Sequence, residues 1–294
     1  MPVDQREIAL IFDFDGTLAE DSTAAFARWK GIKNPQVDVY DVAAKMVATG
    51  WDPPLAYLTA LQNTLKNQGS APITKKDLVA FGAQFRPFPA VEKFLRDLRK
   101  RFDTEKNYAE AGLQLSYYII SSGIGDIIRS VRIARLFREI WACEFEYDEH
   151  GVAISIKATV SFTEKTKYLF YINKGISGAM SRVTPYAVNA DLASEDRPVP
   201  LGHMIYVGDG PSDVPCMSII QKAKPPGKTV VVVGEREIHR SWELLGRGNP
   251  VPPEYGKKGR ARKVIEDAVL TIADRVSGEK LASRRAQLGK KVGY

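Results

Sequence analysis

Cysteine, histidine and long apolar runs are all scarce in this chain of 294 residues. Its two cysteines, Cys143 and Cys216, stand far apart, so no structural disulfide is expected and a reducing, cytoplasmic setting fits best. The three histidines, His150, His203 and His239, have no metal-ligand spacing, which leaves a zinc-type centre without donors. No apolar run approaches the length of a membrane span, and the opening MPVDQREIAL lacks a signal-peptide layout. No membrane partner is therefore expected.

An excess of one charge is also missing from most of the chain. Residues 257–294 hold eleven Lys/Arg against four Asp/Glu, a surplus that matches the whole net charge of +7. The rest is neutral. In that tail Ala261, Val264, Ile265, Ala268, Val269 and Ile272 recur at helical spacing, which predicts a helix docked by its apolar stripe with its basic residues on a solvated face. The tail has no Phe or Trp and only Tyr294, so it lacks the stacking platforms of a nucleic-acid binder. With 44% hydrophobic and 26% charged residues, the chain is an ordinary globular one, long enough for one large or two modest domains.

Four apolar runs have the composition of buried parallel strands: IALIF, LQLSYYII, HMIYVG and KTVVVVG. CEFEYDEHGVAISI reads as a β-hairpin turning near Glu149 to Gly151. RPFPAVEKFLRDLRKRF and TEKTKYLFYINKG read as helices, the second ending in a glycine cap. Between the first two strands, residues 21–85 carry only helical signals. Asp21 with Ser22, Asp52 before Pro53, and the pair Thr74/Asp77 each mark a helix start. Strands alternating with helices predict an α/β fold with a Rossmann-like parallel sheet, and the early helical block predicts a small second domain inserted after the first strand. Residues 175–202 are loop-rich, either rimming the site or lying on the surface.

The first strand ends in IFDFDGTL, where Asp13 and Asp15 share one face because strand periodicity is two. Ser121 and Ser122 end the second strand, and Asp209, followed by Asp213, ends the third. In open α/β sheets ligands bind at the carboxyl ends of the strands, so adjacent strands would bring four carboxylates into one crevice. Such a cluster requires a compensating cation. Oxygen donors without His or Cys favour Mg²⁺, and Mg²⁺ favours phosphate-bearing substrates.

These motifs resemble those of the haloacid-dehalogenase-like hydrolase superfamily, in its phosphoserine-phosphatase-like branch. DFDGTL, YYIISSG, Lys165 in FTEKTKYLF, and GDGPSD fit the four motifs in order, over roughly residues 5–20 and 88–240. The resemblance implies a core at 1–20 and 86–256, a helical cap at 21–85, and a basic helix or tail at 257–294. It also implies Mg²⁺-dependent hydrolysis of a small phosphorylated metabolite through an aspartyl-phosphate. Asp13 would be the nucleophile, Asp15 the general acid and base, and Lys165 the balancing cation. Asp13, Asp15 (through its carbonyl), Asp209 and Asp213 would serve the metal. Ser121, with Ser122 the alternative, would bind the phosphoryl group together with Gly123, Gly16 and Thr17. A carboxylate at position 15 sides with phosphoester chemistry rather than dehalogenation, leaving a phosphomutase or phosphotransferase as the alternative enzyme. A non-catalytic protein acting through the basic tail is a third reading. Arg28, Trp29, Lys30 and Trp51 are candidate cap contacts to substrate, and Cys216 reads as packing.

Overall fold

A computed structural model describes residues 4–234, 246–248 and 250–292. β1 (Glu7–Phe12) lies in the interior of a six-stranded sheet with the order β4-β3-β2-β1-β5-β6. β2 (Gln114–Ile124), β3 (Glu139–Tyr147), β5 (Met204–Gly208) and β6 (Lys228–Val231) all run parallel in it, and only β4 (Ala153–Ala158) is antiparallel. The expected hairpin is β3–β4. Its first strand starts four residues earlier than the sequence pattern suggests and joins the main sheet beside β2. The sheet is therefore larger by two strands than the four apolar runs imply.

β1 is sandwiched because its residues alternate. Ile8, Leu10 and Phe12 enter a core with α5 (Val91–Thr104) and the long α11 (Arg260–Val292). Ala9 and Ile11 enter the opposite core, with α8 (Phe162–Lys174), α10 (Val214–Lys222) and the helices that follow β1. Alternation then assigns Asp13 to the second face. Gly175 ends α8 in the left-handed conformation, as the sequence predicts.

Between β1 and α5 the chain is helical: α1 (Ser22–Trp29), a π-helical turn (Gln36–Tyr40), α2 (Asp41–Val47), α3 (Pro53–Asn67) and α4 (Lys75–Gln84). The starts are those predicted. Asp21 accepts from the Ala24 amide at 2.8 Å, Asp52 from Leu55 at 3.3 Å, and Thr74 and Asp77 form a reciprocal capping box. This cap is fastened to the core at several points. Lys75 N–H donates to Gly151 O, and Ala153 N–H to Ile73 O, so the cap borders the β3–β4 turn. At Gly82 of α4, a Cβ would lie 2.4 Å from the Ile127 carbonyl of α7 (Gly125–Ser130), so only glycine permits that approach. Tyr57 of α3 donates to the Ser122 carbonyl at the end of β2.

The tail is a docked helix. Ala261, Ile265, Ala268, Val269 and Ile272 are buried, joined by Ala273 and Val276, but Val264 is 39% exposed. The stripe drawn from sequence was thus one residue too wide on one side. Several of its basic residues meet the body: Arg262 pairs with Asp97 at 3.2 Å, Lys280 with Asp4, and Arg275 donates to Gly202 O. Residues 194–203 lie where β1 and β5 begin, and Gln5 Nε2 donates to Ser194 O and Arg197 O. This part of the loop-rich segment is at the end of the sheet opposite the acidic strand ends. No helix among the described residues is long and apolar enough to cross a membrane.

Docking of α11 makes its residues unequal in stability. Ile265→Ala should lower the unfolding free energy by about 2–5 kcal/mol, the usual result of truncating a buried large aliphatic side chain. Val264→Ala should change it by about 0.5 kcal/mol or less. Urea denaturation of both variants measures the difference, and equal effects would mean that the helix does not dock by this face.

Candidate active site

Asp13, one residue beyond β1, is pinned in three ways. Its amide donates to Val207 O of β5 at 2.9 Å, which continues the sheet pairing past the strand end. Its Oδ1 accepts from the Phe14 amide at 2.6 Å, and its Oδ2 from Lys165 Nζ at 2.7 Å. Lys165 is fully buried in the first turn of α8 and donates at the same 2.7 Å to Asp213 Oδ1. Asp213 is in turn held by the hydroxyl of Tyr206 at 2.8 Å and the Gly210 amide at 3.1 Å. Asp209, just after β5, accepts from Thr17 Oγ1 at 3.3 Å. Asp13, Asp209 and Asp213 present oxygens within 4.8 Å of one another.

The electrostatics of the cluster follow from burial. Desolvation pulls the Lys165 ammonium towards its neutral form, but Asp13 and Asp213 outweigh it and raise its pKa above the ordinary lysine range. Burial pushes Asp13 up to about 6; Lys165 opposes this and Asp213 adds to it. Asp209 rises well above the usual carboxylate range through desolvation and the charges of Asp13 and Asp213. One ammonium thus bonds two of the three carboxylates and leaves Asp209 uncompensated. An oxygen-only set with surplus negative charge suits a hard divalent cation, and the three side chains fit one.

Asp15 follows a different course. Its Oδ1 accepts from the Ser22 amide at 2.8 Å, which turns the carboxyl towards the cap and away from Asp209. Its Oδ2 faces Gly123: a Cβ there would lie 2.3 Å from that oxygen and 3.3 Å from Ser121 Oγ. Burial, reinforced by Asp21, pushes Asp15 up to about 8. Gly16, at φ +73°, leaves similar room, since a Cβ would lie 2.1 Å from Asp209 Oδ2. Both glycines therefore sit where the carboxylates come closest to the backbone.

The structure separates the two serines. Ser121 is buried with its Oγ on the Gly123 side, accepting that residue's amide at 3.0 Å. Ser122 points to the α8 face, and its hydroxyl donates to Val160 O at 2.7 Å. Of the two candidates only Ser121 is brought near Asp15. Successive side chains of a strand alternate, so the pair could not share one site. Lys30 is engaged inside the cap with Asp77 at 3.0 Å and Pro72 O, and Trp29 stacks on Phe26. Cys216 is buried, free and packed in the core with Tyr206 and Met217.

Several members of the site have no motif to announce them. Tyr206 lies three residues before Asp209 within an apolar strand, and its hydroxyl steadies Asp213. Tyr255 is fully buried and donates to Thr17 O at 2.6 Å across 238 positions of sequence. Asp21, read only as a helix cap, also accepts from Tyr40 at 2.7 Å and acts on Asp15. Tyr40 and Tyr57 pack nearby, with ring centres 5.9 Å apart and planes tilted by 60°.

No known protein-family profile matches the sequence. An uncharacterised protein of Borreliella burgdorferi is 25% identical over 247 residues, covering 74% of this chain and 80% of that protein. Among solved structures, a probable phosphoserine phosphatase of Vibrio cholerae aligns with a TM-score of 0.54 at 12% identity, over 93% of this chain and 68% of the other. A phosphoserine phosphatase captured as a phospho-aspartyl intermediate analogue also aligns at 0.54 and 12% identity, over 89% and 99%. A cytosolic 5′-nucleotidase IIIB bound to cytidine aligns at 0.50 and 13%, over 92% and 88%. The parallel sheet with its helical insertion after β1 is therefore a fold that this chain shares with these phosphatase structures.

Proposed function

We propose that this protein is a Mg²⁺-dependent phosphomonoesterase that hydrolyses a small phosphorylated metabolite through an aspartyl-phosphate. The observation that carries the reading is the buried Lys165, bonded at 2.7 Å to both Asp13 and Asp213, beside a third carboxylate, Asp209. So costly a charge cluster gives a scaffold nothing, whereas it fits a site that receives a phosphate dianion. The fold shared with phosphoserine phosphatases supports the same reading.

In this reading Asp13 attacks phosphorus, held in aim by the Phe14 amide and by Lys165. Lys165 offsets the negative charge that builds as the two anions approach. Asp15, with its pKa pushed up to about 8, is protonated near neutrality and donates to the leaving oxygen. It then takes a proton from the water that opens the acyl-phosphate. Ser121, Thr17 and the backbone near Gly16 and Gly123 hold phosphoryl oxygens. Mg²⁺, held by Asp13, Asp209 and Asp213 with the Asp15 carbonyl, would supply further charge neutralisation at the phosphoryl group. The two free, buried cysteines suit the reducing cytoplasm.

Hydrolysis of p-nitrophenyl phosphate should require Mg²⁺ and stop with EDTA. Asp13→Asn should lower kcat on the order of 10³-fold or more while circular dichroism stays native. Full turnover in metal-free buffer, or in the variant, would sink the reading.

Asp15→Asn separates acid catalysis from attack. For an alkyl phosphate, loss of the acid should slow phosphoenzyme formation by about 10²–10⁴-fold. For the nitrophenyl ester, whose leaving group departs unprotonated, the first step should suffer much less. Rapid-quench rates that fall equally for both esters would remove Asp15 from the acid role.

A further inference from the structure

The end of β2 leaves the sheet pairing beside the acidic cluster. Ile120 of β2 pairs with Trp141 of β3, and the next pair is Ile124 with Cys143, so β2 advances four residues where β3 advances two. On its other side, the pairing of β2 with β1 ends at Ile119. Residues 121–123 thus have no ladder partner among the described residues, and a backbone carbonyl there must find its donor elsewhere.

The Ser122 carbonyl finds two. It accepts from the hydroxyl of Tyr57, in α3 of the cap, and from the thiol of Cys143 at 3.1 Å. A thiol is a weak donor, so the phenol is the stronger of the pair. Tyr57 is held in aim by its helix, where its neighbours Ala56 and Leu58 are buried, and by its ring packed on Tyr40.

The other end of the same peptide unit is the Gly123 N–H. That unit is trans and planar, so its N–H points away from its carbonyl, and fixing the oxygen fixes the direction of the hydrogen. The Gly123 N–H donates to Ser121 Oγ at 3.0 Å. A serine hydroxyl that accepts such a bond keeps its own proton for a second partner. The bonds therefore form one relay, from the Tyr57 hydroxyl through the Ser122–Gly123 peptide to the Ser121 hydroxyl, and bonds in series polarise one another.

We propose that Tyr57 is a positioning residue for the phosphoryl group, holding the Ser121 hydroxyl in place as a donor through the Ser122–Gly123 peptide. The inference rests on the phosphatase reading above, in which Ser121 holds a phosphoryl oxygen. Tyr57 acts through the backbone and touches neither the phosphoryl group nor the leaving group. The cap is then part of the phosphate site as well as its cover.

Tyr57→Phe keeps the ring and removes the donor. Inorganic phosphate, titrated calorimetrically into the full-length protein with Mg²⁺ present, should bind the variant about tenfold more weakly, the effect of one hydrogen bond. Ser121→Ala ends the relay, so in that background Tyr57→Phe should weaken phosphate by less than about twofold. Effects of the two substitutions that simply multiply would overturn the proposal, because Tyr57 would then act by another route. Wild-type protein that neither binds phosphate nor cleaves p-nitrophenyl phosphate would overturn the phosphatase reading and this proposal with it. Phosphate bound equally by wild type and folded Tyr57→Phe would overturn the proposal alone. Should the variant fail to fold, NMR of the ¹⁵N-labelled wild type decides: phosphate should shift the Gly123 amide signal, and a signal that stays in place would overturn the relay.

Discussion

A lysine ammonium with no exposed surface, placed between two aspartates, is the constraint around which this structure is arranged. Removing an ammonium from water costs several kcal/mol after relaxation, and only close, well-oriented partners offset that. Lys165 has them at 2.7 Å on either side. Its position depends on α8 starting at Phe162, so that the lysine falls in the first turn and points back to the strand ends. The position of Asp13 depends on the Val207 pairing beyond the end of β1. Asp213 depends on Tyr206 and on the Gly210 amide. Three separate stretches of chain thus meet at one nitrogen atom.

The same cluster explains why the sheet ends as it does. Carboxylates that crowd together leave no space for nearby Cβ atoms, and glycine occupies positions 16 and 123 where Asp209 and Asp15 come closest. Asp15 is drawn out of the group by the Ser22 amide at the entry to the cap. One carboxylate is thereby kept apart, next to Asp21 and without the Lys165 ammonium, and its pKa diverges from that of Asp13. Two aspartates two residues apart acquire different proton affinities because one bonds to the core and the other to the cap.

The cap is fastened beside the site by bonds to backbone, and the charge of Asp21 acts on Asp15. Tyr57 meets the Ser122 carbonyl, α4 lies against α7 at Gly82, and the chain at residues 73–75 borders the β3–β4 turn. Two of the residues that stand out in the cap sequence are engaged within the cap itself. Lys30 pairs within the cap and Trp29 stacks on its core. Residues nearer the acid are tyrosines, whose hydroxyls find partners when buried.

Local sequence determined the elements, because their signals are local. Helix starts at Asp21, Asp52 and Thr74 were legible since a cap bonds to amides only a few residues away. The acidic pair just beyond β1 was legible as the polar end of a buried strand, and the resemblance to a known family ordered Lys165, Asp209 and Asp213 around it, but the turn of Asp15 towards the Ser22 amide was not. Tertiary structure alone decided the rest. Strand parity at the end of β2 turned Ser121 towards Gly123 and Ser122 towards Val160. The pairing of β3 with β2 drew the hairpin into the sheet. The way α11 rests on the sheet left Val264 at the margin of its buried arc. Tyr255 on Thr17 joins residues 238 positions apart. No periodicity encodes such meetings, because they arise only where the packed sheet brings remote chain together.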